Sequence, residues 1–194
     1  QWVFEEACRQ VARWPDPVRI NINVSVEQLL EPGFSDTVVA ILNRHGVPPH
    51  RVEIEVTESI FVRDAVIASQ ALERLMAIGC SIALDDFGTG YSSLAYLRDF
   101  RFSTIKVDRT FVQGAAQGNA ESIAIVRAVV AMAESLQMTT TAEGVEDANE
   151  AKLIREMGCT KIQGYYFGRP MPTDEAFALA HRAGPVQPQA TAAA

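Results

Sequence analysis

The chain has 194 residues, 48% of them hydrophobic, and sets 17 basic residues against 24 acidic ones for a formal charge of −7. That is enough apolar material for one packed domain, whereas the acidic balance and the lack of any basic run exclude a polymeric nucleic acid as the expected partner. No apolar run reaches the ~18 residues that span a bilayer and no signal peptide opens the sequence, so no membrane contact by this domain is expected and the reading is cytoplasmic. A membrane anchor could still belong to a neighbouring part of a larger signalling protein.

In chain order, "QWVFEEACRQVARW" places Phe4, Ala7, Cys8, Val11 and Ala12 on one helical face. It starts without Met, N-cap or preceding turn, so the chain is expected to enter within a helix whose upstream residues are missing. Short β-rich runs follow at 18–24, 51–57, 80–86, 103–108, 138–144 and 160–166, alternating with helical patterns at 35–45, 64–78, 119–136 and 147–157. Gly46, Gly79 and Gly158 stand where helix C-caps belong. A further helix is expected near "SSLAYL", and residues 184–194, "GPVQPQATAAA", read as a flexible tail behind a domain covering 1–183. Cys8, Cys80 and Cys159 are isolated in apolar company and read as reduced core thiols.

Strand and helix in regular alternation imply right-handed βαβ units and a parallel sheet. The position of the polar residues chooses between its two forms. Each strand ends in one: Asn23, Glu55, the Asp85–Asp86 pair, Lys106 with Asp108, Glu143, and Gln163. In a (β/α)8 barrel all these ends converge on one mouth, whereas an open doubly wound sheet spreads them along a line. The expected fold is therefore a TIM-like (β/α)8 barrel of the α/β class, N-terminally incomplete, with about six βα units present and roughly two strands short of closure.

Asp85 and Asp86 can address one site only if the strand breaks between them, which the following "FGTG" permits; an Asx-turn or helix cap is the plainer alternative. Four carboxylates in one mouth repel one another unless cations sit among them. Their all-oxygen donor set suits Mg²⁺ or Mn²⁺ and not zinc or iron. A carboxylate shared by two ions about 3.5–4 Å apart is an arrangement that hydrolyses phosphodiesters. Lys106 either pairs with Asp108 or orients the attacking water and neutralises phosphate. Glu58, just past its strand, reads as a loop brace; Gln163 reads as a water or ligand contact or a rim hydrogen bond. His45, His50 and His181 lie outside the strand ends and read as surface residues.

"NVS", "EVTES", "DDFGTGYSSL", "KVD", "AEGVE" and "QGYYFGRP" occur in the order and spacing of the EAL family, and the chain resembles that family from Gln1 to about Arg182. The resemblance implies a bacterial phosphodiesterase that linearises cyclic di-GMP to pGpG with two Mg²⁺ or Mn²⁺ ions and is inhibited by Ca²⁺. It implies that Asn23, Glu55 and Asp85 hold one ion, and that Asp85, Asp86 and Glu143 hold the other with Asp85 bridging. Lys106 resembles the family's essential lysine, Asp108 a supporting acid in the catalytic set with Glu143, and Gln163 and Glu146 contacts to the substrate or its water. Glu58 resembles the glutamate bracing the loop after the paired aspartates, a loop the family uses at a homodimer interface. The Glu-Ala-Leu signature that names the family is absent from this sequence. The fragment is accordingly expected to turn over weakly or not at all, while its parent domain is active. Two other functions compete: a catalytically inactive cyclic di-GMP-binding and dimerisation module, and an enolase-like proton abstraction on a carboxylate substrate.

Overall fold

A computed structural model of the chain describes residues 2–16, 18–88, 97 and 100–182. Helix α1 (Trp2–Val11) leads into β1 (Ile20–Asn23), the short α2 (Val26–Leu29) and α3 (Phe34–His45); a single 3₁₀ turn, Pro49–Arg51, opens β2 (Val52–Thr57). Helix α4 (Ile60–Ala77) and β3 (Ser81–Phe87) follow, then β4 (Thr104–Val107), α5 (Arg109–Ala116), α6 (Ala120–Ser135), β5 (Thr139–Ala142), α7 (Ala148–Glu156), β6 (Lys161–Ile162) and α8 (Thr173–Arg182). The expected helix at "SSLAYL" and the tail at 184–194 lie outside the described residues.

All six described strands are parallel and pair in chain order, β1 to β6. A doubly wound sheet reverses its strand order at a switch point; this one does not, which is the order of a (β/α)8 wall. The sheet also curls. Lys161 Nζ on β6 stands 3.9 Å from Glu53 Oε2 on β2, four strands away. In a flat sheet four spacings of ~4.8 Å would separate the strands by about 19 Å, beyond the reach of the two side chains. The six strands expected from the sequence are thus present as a curled half-barrel, with the helix expected after β3 outside the described residues.

Alternation along the strands sorts residues between two faces. Val52, Ile54, Val56, Ile82, Leu84, Ile105 and Val107 are buried beneath the helices, where they pack with Leu72, Leu75, Val112 and Val126. Their neighbours Glu53, Glu55, Asp85, Thr104 and Lys106 take the concave face. Helix ends are set by short polar side chains: Ser25 and Gln28 form a capping box, and Asp108, Asn119 and Asp147 cap α5, α6 and α7. Gly46 ends α3 at φ 64°, as its place in the sequence foretold.

Two boundaries depart furthest from the sequence reading. Helix α4 begins at Ile60, not at 64; Asp64 breaks its regularity (φ −154°, ψ 90°) and its Oδ1 accepts from Ile67 N at 3.1 Å, recapping the helix where the periodic pattern starts. Strand β6 spans two residues and not seven, because Gln163 and Gly164 turn the chain back against Val145.

Cys8, Cys80 and Cys159 are free and buried, as read from the sequence. Burial pushes the Cys8 and Cys80 thiols up to about 11. At pH 8 only about one such thiol in 10³ is ionised. Alkylation by iodoacetamide is therefore expected to follow global unfolding, with all three cysteines modified together in urea; rapid labelling of Cys8 or Cys80 in the native state would contradict the packing.

Candidate active site

The carboxyl ends of β2, β3, β4 and β5 bring their polar residues to one point, and Lys106 is its hub. The Lys106 side chain is 4% exposed, and its Nζ lies 2.6 Å from Glu55 Oε2, 2.6 Å from Glu143 Oε1 and 2.9 Å from Asp85 Oδ1. Burial acts to lower the lysine's pKa, but the hydrogen bonds that its ammonium donates to Glu143, Glu55 and Asp85 outweigh it and hold it above the ordinary lysine value. In this arrangement Lys106 is held as its ammonium at neutral pH. The cation that the clustered acids require is, in the first instance, this ammonium.

Around it the other residues complete the polar shell. Asn21 Nδ2 donates to Glu55 Oε1 at 2.8 Å. With its amide turned to donate, Asn23 reaches Asp85 Oδ2 at 3.1 Å and Glu55 Oε2 at 3.2 Å. Gln163 Nε2 donates to Glu143 Oε1 at 2.8 Å. The backbone ladder continues past β5 and β6 to hold these two, through Glu143 N to Val107 O at 3.1 Å and Gln163 N to Ala142 O at 2.9 Å.

The paired aspartates meet the same site because the backbone turns between them. Asp86 takes φ 53°, a left-handed conformation rare outside glycine, asparagine and aspartate, and its amide donates to Asp85 Oδ1 at 3.1 Å. Asp85, Asp86 and Glu143 each offer an oxygen within 4.8 Å of the others, a group that could hold a metal ion. Burial, then the charges of Asp85 and Asp108, raises the Asp86 carboxyl; burial raises Glu143 despite its bond to Lys106.

Other expected site residues sit further out. Asp108 does not pair with Lys106; its Oδ1 accepts from Thr110 N at 2.9 Å and caps α5, while its charge is felt by Asp86. Glu58 Oε1 accepts from Gly88 N at 3.3 Å, just beyond the aspartate pair; the rest of that loop, 89–96, lies outside the described residues. Glu146 is exposed, and its amide donates to Glu150 Oε2 at 2.6 Å.

Sequence reasoning passed over two features. Asn21 shares a face with Asn23, and period two along "ININ" was the signal for it. Tyr165, Tyr166 and Phe167 are 51%, 47% and 50% exposed beside Gln163, three consecutive aromatics left in solvent, with the Arg169 guanidinium 4.4 Å from the Tyr165 ring centroid. Gly164 anchors this turn. A Cβ there would come within 2.1 Å of Val145 O and 2.3 Å of Val145 N, both rigid backbone. Gly164→Ala is expected to cost about 3 kcal/mol and lower the melting temperature by roughly 10 °C, which thermal denaturation would register.

Fold and site together define a (β/α)8-type protein with an acid-and-lysine centre at the carboxyl ends of its strands. The chain belongs to the EAL domain family, whose model matches residues 1–170. It is 41% identical over 182 residues to the bifunctional diguanylate cyclase/cyclic di-GMP phosphodiesterase MucR of Pseudomonas aeruginosa, covering 92% of this chain and 26% of that protein. Among solved structures it is similar to the MucR phosphodiesterase in complex with cyclic di-GMP, with a TM-score of 0.84 at 41% identity over 90% of this chain and 72% of that one. The EAL domain of Mycobacterium smegmatis DcpA superposes with a TM-score of 0.87 at 35% identity, over 93% and 83% of the two chains. The chain spans between 21% and 28% of the length of the curated relatives it matches.

Proposed function

We propose that the protein bearing this chain hydrolyses cyclic di-GMP to linear pGpG at the Lys106 centre. One observation carries the reading: a lysine nitrogen within 2.9 Å of three carboxylates from the ends of three strands, with a fourth brought alongside by the left-handed turn at Asp86. In the reaction a water oxygen bonds to phosphorus, one phosphorus–oxygen ester bond breaks, and the ring opens with one water added. Lys106, held ionised, stabilises the negative charge that grows on the phosphoryl oxygens.

The donor set fits Mg²⁺ or Mn²⁺, since every candidate ligand is an oxygen: Asn23, Glu55 and Asp85 for one ion, Asp85, Asp86 and Glu143 for the other. When bound, such ions supply Lewis acidity toward the phosphate and lower the pKa of water. Ca²⁺, with looser coordination, is expected to inhibit. Gln163 holds Glu143 in place, Asp108 adds negative potential at Asp86, and Glu146 stands at the exposed rim. The exposed rings of Tyr165, Tyr166 and Phe167 offer faces on which guanine bases can stack. Glu58, bonded to Gly88, is suited to couple the loop after the aspartates to a second copy in a homodimer. No described helix is long and apolar enough to cross a membrane. A cytoplasmic location is part of this proposal.

Incubating the protein with cyclic di-GMP and Mn²⁺, then separating the nucleotides by chromatography, tests the proposal. Conversion to pGpG is expected, abolished by chelator. Metal-independent binding without product would instead make it a signalling module that senses the messenger.

A further inference from the structure

Glu53 stands two residues before Glu55 on β2, on the same concave face and one level deeper. In (β/α)8 barrels that level is filled mostly by branched apolar side chains. Here it holds a carboxylate only 4% exposed. A leucine would fill the space without desolvating a charge, so packing does not account for the residue.

Its contacts do. Thr104 Oγ1 on β4 donates to Glu53 Oε2 at 3.3 Å, and the Lys161 ammonium on β6 stands 3.9 Å from the same oxygen. Strand β3 runs between β2 and β4, and Ala83, paired in register with Thr104, is fully buried; its methyl group leaves room for Glu53 to reach across. Thr104 Oγ1 also lies 3.0 Å from Thr139 Oγ1 on β5, which donates to Ser103 O at 3.1 Å. Thr104 is two residues before Lys106 on β4, as Glu53 is before Glu55 on β2. Two rungs therefore cross β3 one above the other: Glu55 to Lys106 over Asp85, and Glu53 to Thr104 over Ala83.

We propose that Glu53 is a positioning residue for Lys106, acting through Thr104, with Lys161 as its counter-charge. The lower rung holds β2 and β4 at the separation that lets the Lys106 ammonium touch Glu55, Asp85 and Glu143 at once. The kinetic part of this inference rests on the proposed hydrolysis; the structural part does not.

The test uses ¹⁵N-labelled protein and the Lys106 ammonium resonance, assigned by its loss in Lys106→Arg. Thr104→Val, which keeps shape and removes the hydroxyl, is expected to shift or broaden that resonance, and Thr104→Ser to restore it. Glu53→Leu should act like Thr104→Val, and Glu53→Gln, still an acceptor for Thr104, should have a smaller effect. In turnover of cyclic di-GMP, Thr104→Val is expected to lower kcat about tenfold with KM unchanged, the signature of a displaced catalytic group. A folded Thr104→Val whose Lys106 resonance matches wild type overturns the proposal. Should the wild-type protein not hydrolyse cyclic di-GMP, the functional reading falls, and the resonance pattern still decides the role of Glu53.

Discussion

Lys106→Met is expected to lose stability and activity together. The substitution keeps chain length and removes the one cation that, among the described residues, Glu55, Asp85 and Glu143 share, and Lys106 with two of these partners is nearly fully buried. Removing one partner from such a cluster leaves uncompensated buried charge, at a cost of about 3–5 kcal/mol. Turnover should fall by at least about 10²-fold, since the charge developing on phosphate loses its nearest fixed partner. The stability gap has a signed pH dependence. In wild type the lysine's folded pKa is raised, so its contribution is complete at neutral pH and is lost only as pH climbs through that raised value. Glu143 and Asp86 are already raised, so they take up protons above the usual carboxylate range as pH falls, and the variant's unpaired acids then cost less. Melting curves between pH 7.5 and 5 should show the variant closing on wild type toward acid, and Mn²⁺ at neutral pH should restore part of the loss. A variant as stable as wild type at pH 7.5 would show that the ammonium is not the hub.

Asp85→Asn should separate the two effects. Asparagine keeps an oxygen for Lys106 to donate to, and Glu55 and Glu143 still hold the lysine. The fold is expected to change by no more than about 1 kcal/mol. Yet this is the residue proposed to serve both ions, and a neutral amide is a poor bridge between divalent cations. The rise in melting temperature on adding Mn²⁺ should vanish, and hydrolysis should drop by about 10³-fold or more. An Asp85→Asn protein that still melts higher with Mn²⁺ would move the shared ligand elsewhere.

The contrast between these substitutions reflects what the sequence could and could not convey. Strand-end polarity is a local property, and it located Asn23, Glu55, Asp85, Asp86, Lys106, Glu143 and Gln163 without coordinates. A break at Asp85–Asp86 was legible too, because adjacent acids on opposite faces of a strand meet only if the strand is interrupted; that the interruption is a left-handed Asp86 inside a strand running on to Phe87 was not. The partners of Lys106 were not. Lys106 reaches Glu55 and Glu143 because the sheet curls, and curl is a collective result of strand twist and helix packing on one face. For the same reason Glu53 went unnoticed: in "VEIEVT" it looks like any inward residue until β2, β4 and β6 are brought together. Helix α5 was missed for a different reason, since "RTFVQGAA" is short and carries Gly114, so its stability comes from the Asp108 cap and from Val112 and Ala115 in the core. Helix α8 was passed over as well, and none of its residues is buried.

The claim at the centre of this account is that the acids around Lys106 form a two-ion phosphodiester site. Crystals of the protein grown with Mn²⁺ and cyclic di-GMP, measured at the manganese absorption edge, test it directly. Two anomalous peaks are predicted, one among Asn23, Glu55 and Asp85 and one among Asp85, Asp86 and Glu143, with the scissile phosphate against both. Bound cyclic di-GMP with no manganese at these carboxylates would contradict it.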